Sequence, residues 1–273
     1  MTLASALEMV VRTDPGMTRS HNEDAVFADA GLGLAILADG MGGYNAGEVA
    51  SGMATTLISE SFTRYLPSPS PWAEPLGDAE AVEQLIATEV GAANMAIFNA
   101  GQTEPGCAGM ATTLVLACFY GNQMTVAHAG DSRLYRLRGE VFEQLTRDHS
   151  LLQEQLDSGM ITAEEARHSH NRNLVTRGLG VDPDLEAEIH THDLQAGDLV
   201  LLCSDGLNDM VRDEEIALTL QTFAGNPAAA AEELVELANG YGGRDNISVI
   251  LVKILGDSAL PGGWWQWLSA RLK

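Results

Sequence analysis

Five short apolar runs in this chain end at, or begin just after, an aspartate. Leu34–Ala38 runs into Asp39-Gly40, Met124–Ala129 into Gly130-Asp131, and Leu199–Cys203 into Ser204-Asp205-Gly206. Asp245-Asn246 stands immediately before Ile247–Ile254, and Glu23-Asp24 before Ala25–Phe27. A rigid strand places its terminal side chain accurately, and a following glycine lets the backbone approach an ion closely. Hard divalent cations such as Mg²⁺ or Mn²⁺ take several oxygen ligands, chiefly carboxylate and water. Acids delivered from several strands to one cleft would meet that demand. Asp-Gly after a strand is also the commonest turn signal, so spacing by itself leaves a set of ordinary turns open beside a metal site.

The elements that must carry these acids can be read from the hydrophobic pattern. Leu34–Ala38, Thr112–Tyr120, Met124–Ala129, Leu199–Cys203 and Ile247–Ile254 predict buried strands. Gly121-Asn122 predicts a tight hairpin turn, and Leu134–Leu137 with Val141–Leu145 a second hairpin. Helical period appears in Ala50, Met53, Ala54, Leu57, Ile58, Phe62 and Tyr65, with Asn45 and Glu48 as a capping box. A second helical stripe is Val82, Leu85, Ile86, Val90, Ala93 and Ile97, and a third is Ala231, Leu234, Val235 and Ala238. Pro67–Pro75, with four prolines, predicts a loop between the first two helices. Residues 150–183 are polar and weakly periodic, which predicts a short helix and a surface flap. Strand hairpins interleaved with helix pairs, without regular βαβ alternation, predict an α+β fold with antiparallel sheets.

The 273 residues are ample for one core, and 45% apolar with 19% charged is ordinary globular composition. Acids outnumber bases 38 to 15, a formal charge of −23, which disfavours nucleic-acid binding through phosphates. The three cysteines form no CxxC pair, so neither a disulfide framework nor a zinc knuckle is expected. None has an arginine six positions later, so no cysteine-based phosphate loop is visible. No basic, apolar leader and no run of about 18 apolar residues appears, and the expected location is the cytoplasm.

Six segments then combine. Arg19-Ser20-His21-Asn22-Glu23-Asp24, Ala38-Asp39-Gly40-Met41-Gly42-Gly43, Gly109-Met110-Ala111-Thr112-Thr113, Ala127-His128-Ala129-Gly130-Asp131-Ser132-Arg133, Ser204-Asp205-Gly206-Leu207 and Gly243-Arg244-Asp245-Asn246-Ile247-Ser248 occur in this order across nearly the whole chain. In type and order they resemble the signature motifs of the PPM (type 2C) metal-dependent Ser/Thr protein phosphatases, and the wording is close to bacterial members.

The resemblance implies a β-sandwich of two antiparallel sheets flanked by helix pairs, over residues 1–255, with residues 256–273 as a Trp-rich tail. It implies two Mn²⁺ or Mg²⁺ ions, with Asp39 as the bridging ligand, the Gly40 carbonyl on one ion, and Asp205 and Asp245 on the other. Glu23 and Asp24 resemble residues that hold metal-bound waters, and Asp131 with Asp205 would support a third, weaker ion. Arg19 resembles the guanidinium that grips the substrate phosphate, a fork lysine could not copy. A hydroxide bridging the two ions would attack phosphorus, with phosphoserine and phosphothreonine proteins as substrates and a bacterial Ser/Thr kinase as the opposing enzyme. A monomer is expected, without membrane contact by the tail.

One position departs from the family pattern. Animal members carry histidine after the Asp-Gly of the second motif, proposed as the general acid, and here it is Met41. His149 admits a catalytic reading beside one in which it orients the flap; His168 and His170 lie in that flap. Two rivals stand against the expected activity, a phosphomonoesterase of small substrates and a silent binding module of the same fold. Retention of all the acids and of Arg19 argues against silence.

Overall fold

A computed structural model describes residues 3–42, 46–65, 79–162, 165 and 174–256. Two antiparallel sheets form its centre. The first runs in the order β1 (Leu7–Asp14), β11 (Ile247–Ile254), β10 (Leu199–Cys203), β7 (Arg133–Arg138), β8 (Val141–Gln144). The second runs β2 (Asp24–Asp29), β3 (Leu34–Met41), β5 (Leu114–Tyr120), β6 (Gln123–Ala129), β9 (Glu188–Asp193), with β4 (Ala111–Thr112) paired to the end of β3.

Side chains alternate across a strand, and β10 and β11 use both faces for core. Val200, Leu202, Ile250, Val252 and Ile254 join the cluster that also holds β3, β5 and β6. Leu199, Leu201, Cys203, Ile247, Val249 and Leu251 face the opposite way. That outer face is covered by α4 (Asp205–Asn208), α5 (Asp213–Thr222) and α6 (Pro227–Gly240), through Leu207, Ile216, Leu220 and Leu234. The other sheet is covered by α1 (Ala46–Tyr65) and α2 (Ala79–Thr103), which pack on each other and on β3 and β6. The result is the expected helix–sheet–sheet–helix sandwich. Burial of strands on both faces explains why they read as unbroken apolar runs rather than alternating ones.

The predicted strands and both hairpins are present, with Gly121 and Gly139 at positive φ in the turns. The run Thr112–Tyr120 is interrupted at Thr113, which separates β4 from β5. The helical stripe Ala50, Ala54, Ile58 and Phe62 is fully buried, and the short helix expected after residue 150 is α3 (Leu151–Asp157), capped by the Ser150 hydroxyl. Four of these elements have no counterpart in the sequence reading: β1, β9, α4 and α5. Asn45, the proline-rich loop, His168, His170 and the tail from residue 257 lie outside the described residues.

Candidate active site

At one end of the sandwich the strand termini converge on a cavity of 240 Å³ lined by Arg19, Glu23, Asp39, Asp131, Asp205 and Asp245, with Met41 and Val175 also in its wall. The backbone crossing beneath it demands glycine. A Cβ on Gly40 would stand 2.2 Å from the Gly47 carbonyl oxygen and 2.7 Å from that of Glu23. Packing the start of α1 against the end of β3 at this distance brings the Gly40 backbone to the cavity wall.

Four of the acids, Glu23, Asp24, Asp39 and Asp245, are held by groups from distant parts of the chain. Asp39 pairs with Asp24 across β2 and β3. The Asp39 N–H donates to Thr113 Oγ1 at 3.0 Å, and its carbonyl accepts from Thr112 Oγ1 at 2.8 Å. Asp24 Oδ2 accepts from the Ser204 hydroxyl at 2.9 Å, tying the two sheets together beside Asp205. The Asn246 side chain accepts from the Glu23 N–H at 2.8 Å and donates to the Pro15 and His21 carbonyls, each at 3.0 Å. It thereby fixes the loop that carries Arg19, whose Nη2 donates to Asp245 Oδ2 at 2.7 Å.

The electrostatics are those of crowded like charges. Burial, and then the charges of Asp24, Asp205, Asp131 and Asp245, push the Asp39 carboxyl well above the usual carboxylate range. Asp205 is raised in the same way, by burial and then Asp131, Asp209 and Asp245. Burial is the largest cause for Asp24, raised to about 6, and for Asp131, raised to about 7. Among the described residues, Asp24 Oδ1 and Asp205 Oδ1 are buried without a hydrogen-bond donor. A buried carboxylate oxygen without a donor is costly unless a proton or cation meets it. Carboxylates plus a backbone carbonyl suit hard divalent cations, so these residues fit the ions the sequence implies.

All eight residues singled out in the sequence are therefore at this end of the sandwich: seven line the cavity, and Asp24 lies behind Asp39, bonded to Ser204. Sequence reasoning missed Asn246, Thr112, Thr113 and Ser204 as holders of the site. The only signal was a polar residue interrupting or adjoining an apolar run. Met41 lines the cavity, and its terminal methyl lies 3.2 Å from where a Cβ on Gly178 would stand.

A second donor group lies nearby. His128, His149 and Glu188 each bring one ligand atom within 4.8 Å of the others. Its hydrogen bonds argue against a metal. The Gly130 N–H points at His149 Nδ1 at 3.3 Å, so Nδ1 must be the acceptor and Nε2 must carry the proton that faces Glu188 Oε2, also at 3.3 Å. The nitrogen facing Glu188 has no lone pair to offer.

Comparison with known proteins places this geometry. The family model for Protein phosphatase 2C matches residues 17–239. The Serine/threonine phosphatase stp of Listeria innocua is 39% identical over 250 residues, covering 89% of this chain and 94% of that protein. The crystal structure of the Mycobacterium tuberculosis serine/threonine phosphatase PstP/Ppp superposes with a TM-score of 0.82 at 38% identity, covering 91% of this chain and 99% of that one. A second similar structure, the catalytic domain of PstP in complex with 2 manganese ions, has a TM-score of 0.79 at 38% identity, covering 91% and 98%.

Proposed function

The chain belongs to the protein phosphatase 2C family and is a metal-dependent serine/threonine protein phosphatase, and from that premise we propose how its residues divide the work. Asp39, the Gly40 carbonyl, Asp205 and Asp245 hold two Mn²⁺ or Mg²⁺ ions, and Asp131 with Asp205 holds a third more weakly. When bound, the ions lower the pKa of water at the site and neutralise phosphate charge. Glu23 and Asp24 accept hydrogen bonds from waters around them. Arg19 turns from Asp245 to grip two oxygens of the substrate phosphate and aligns phosphorus for in-line attack. The observation that carries this reading is the ring of clustered carboxylates around the cavity, with Asp24 behind it, in which Asp205 and Asp24 each keep a buried oxygen without a donor, facing a rim arginine.

The substrates are phosphorylated proteins. We further propose that the chain opposes a Ser/Thr kinase, acts as a monomer in the cytoplasm, and carries its catalytic domain in residues 1–255 with a non-catalytic tail behind it. Among the described residues no helix is long and apolar enough to cross a membrane, and the three free cysteines fit a reducing compartment.

Metal titration tests the assignment. Phosphate release from a phosphothreonine peptide should rise with Mn²⁺ and fall by at least 10²-fold in Asp39→Asn. Arg19→Lys should raise KM while leaving the Mn²⁺ dependence unchanged. Turnover of small phosphomonoesters with none on phosphopeptides would favour the small-substrate rival, and metal binding without turnover of either would favour the silent module.

A further inference from the structure

The hydrogen bonds of His149 run in two directions, and neither reaches the cavity. Toward the sandwich, His149 takes both polar groups of Gly130: its N–H donates to the Gly130 carbonyl at 2.9 Å, and its Nδ1 accepts from the Gly130 N–H at 3.3 Å. Gly130 directly precedes Asp131. It sits at φ +113°, and its Cα presses against Thr113, where a Cβ would stand 2.7 Å from the Thr113 Cβ. Thr113 in turn holds the Asp39 N–H. Toward the flap, the His149 carbonyl accepts from the Thr176 N–H at 2.8 Å, and the neighbouring Ser150 bridges to Val175, a wall residue of the cavity. The ring is 8% exposed and stacks on His128 at 4.7 Å between centroids.

We infer that His149 is a positioning residue whose neutral imidazole, set in the Nε2–H tautomer by Glu188, locks the Gly130-Asp131 turn to Val175 and Thr176 at the cavity side of the flap. The inference rests on Asp131 being a cation ligand, as proposed above. A ligand whose orienting partner is lost binds its metal on the order of 10–100-fold more weakly. Thr113, the side chain pressed against Gly130, is already engaged by Asp39 and Ser132.

The experiment uses the full chain and three variants. Asn places its Oδ1 where Nδ1 stood, whereas Gln reaches the Nε2 position and leaves the Gly130 N–H unmet. His149→Asn should therefore keep Mn²⁺ affinity, measured by calorimetry, within about threefold of the parent. His149→Gln and His149→Ala should lose roughly tenfold at the weakest site. Amide hydrogen exchange at Gly130 should follow the same order, with protection retained in the Asn variant only. Equal losses in the Asn and Gln variants would overturn the inference, because a merely structural role does not distinguish the two amides. Asp131→Asn is the control for the premise. If it leaves the Mn²⁺ isotherm unchanged, the ligand assignment fails; if it removes the weakest site while all three His149 variants bind like the parent, the positioning role fails.

Discussion

A thioether at position 41 has no proton to give to a departing oxygen. An aryl phosphate leaves as a stabilised phenolate and needs little help, whereas phosphoserine leaves as a poor alkoxide. With Met41 in the cavity wall and His149 bonded to Gly130 and Glu188, neither side chain is placed to assist. Single-turnover rates at saturating Mn²⁺ should fall steeply as the leaving alcohol becomes less acidic. Met41→His should flatten that slope, helping alkyl esters more than aryl esters; a shallow slope already present in the parent would reveal another acid. The carboxylates make a second prediction. Asp24 and Asp131 are raised to about 6 and about 7 in the fold, so the folded state binds more protons than the unfolded chain at pH between about 4 and 7. Metal-free protein should therefore lose stability as pH rises through 6 to 7. The difference in Tm between Mn²⁺-loaded and chelator-stripped protein should widen from pH 5 to pH 8, and a gap independent of pH would contradict the assignment.

Between elements, the flap base is fastened at a few identifiable points. The Thr112 and Leu179 backbones exchange two hydrogen bonds of 3.0 and 2.8 Å. Asn94, buried on α2, accepts from the Gly180 N–H at 2.7 Å and donates to the Asp182 and Pro183 carbonyls at 2.8 and 3.2 Å. Asn94→Ala should cost about 1–3 kcal/mol in urea unfolding. It should also raise hydrogen exchange at residues 179–181 more than elsewhere; uniform exchange would mean that α2 does not hold the flap base. Asn94 sits among apolar helix positions, and nothing in its surroundings announces a partner 86 residues later. The same limit separates what was legible from what was not. The acids proposed as cation ligands were readable because each stands at the end of an apolar run beside a glycine or a second polar residue. Ser204 and Thr113 were not, since a hydroxyl in such a run reads as core, and its partner lies on another strand. In β9, Glu188-Ile189-His190-Thr191-His192-Asp193, the single large apolar residue gives no strand signal, and pairing with β6 makes it one. The charged Glu8 and Arg12 masked β1 in the same way, and α5 buries only Ile216, Thr219 and Leu220, a stripe too short to stand out as helical.

For the molecule as a whole, one pairing has a consequence in time as well as in space. Strands β1 and β11 are bonded along eight residue pairs, from Leu7 with Ile254 to Asp14 with Ile247. The first strand of the fold cannot find its neighbour until the last one has been made. Contacts this distant in sequence slow folding, because the loop-closure entropy must be met before the pairing stabilises anything. Asp245 arrives with that last strand and Arg19 is bonded to it, so a chain still growing on the ribosome holds the early acids without the means to close the site. Chains ending before residue 245 should neither bind Mn²⁺ tightly nor release phosphate, and both abilities should appear together once β11 is included. Synthesis itself thus acts as a timer, so that an enzyme able to erase signals is inert until β11 has been made.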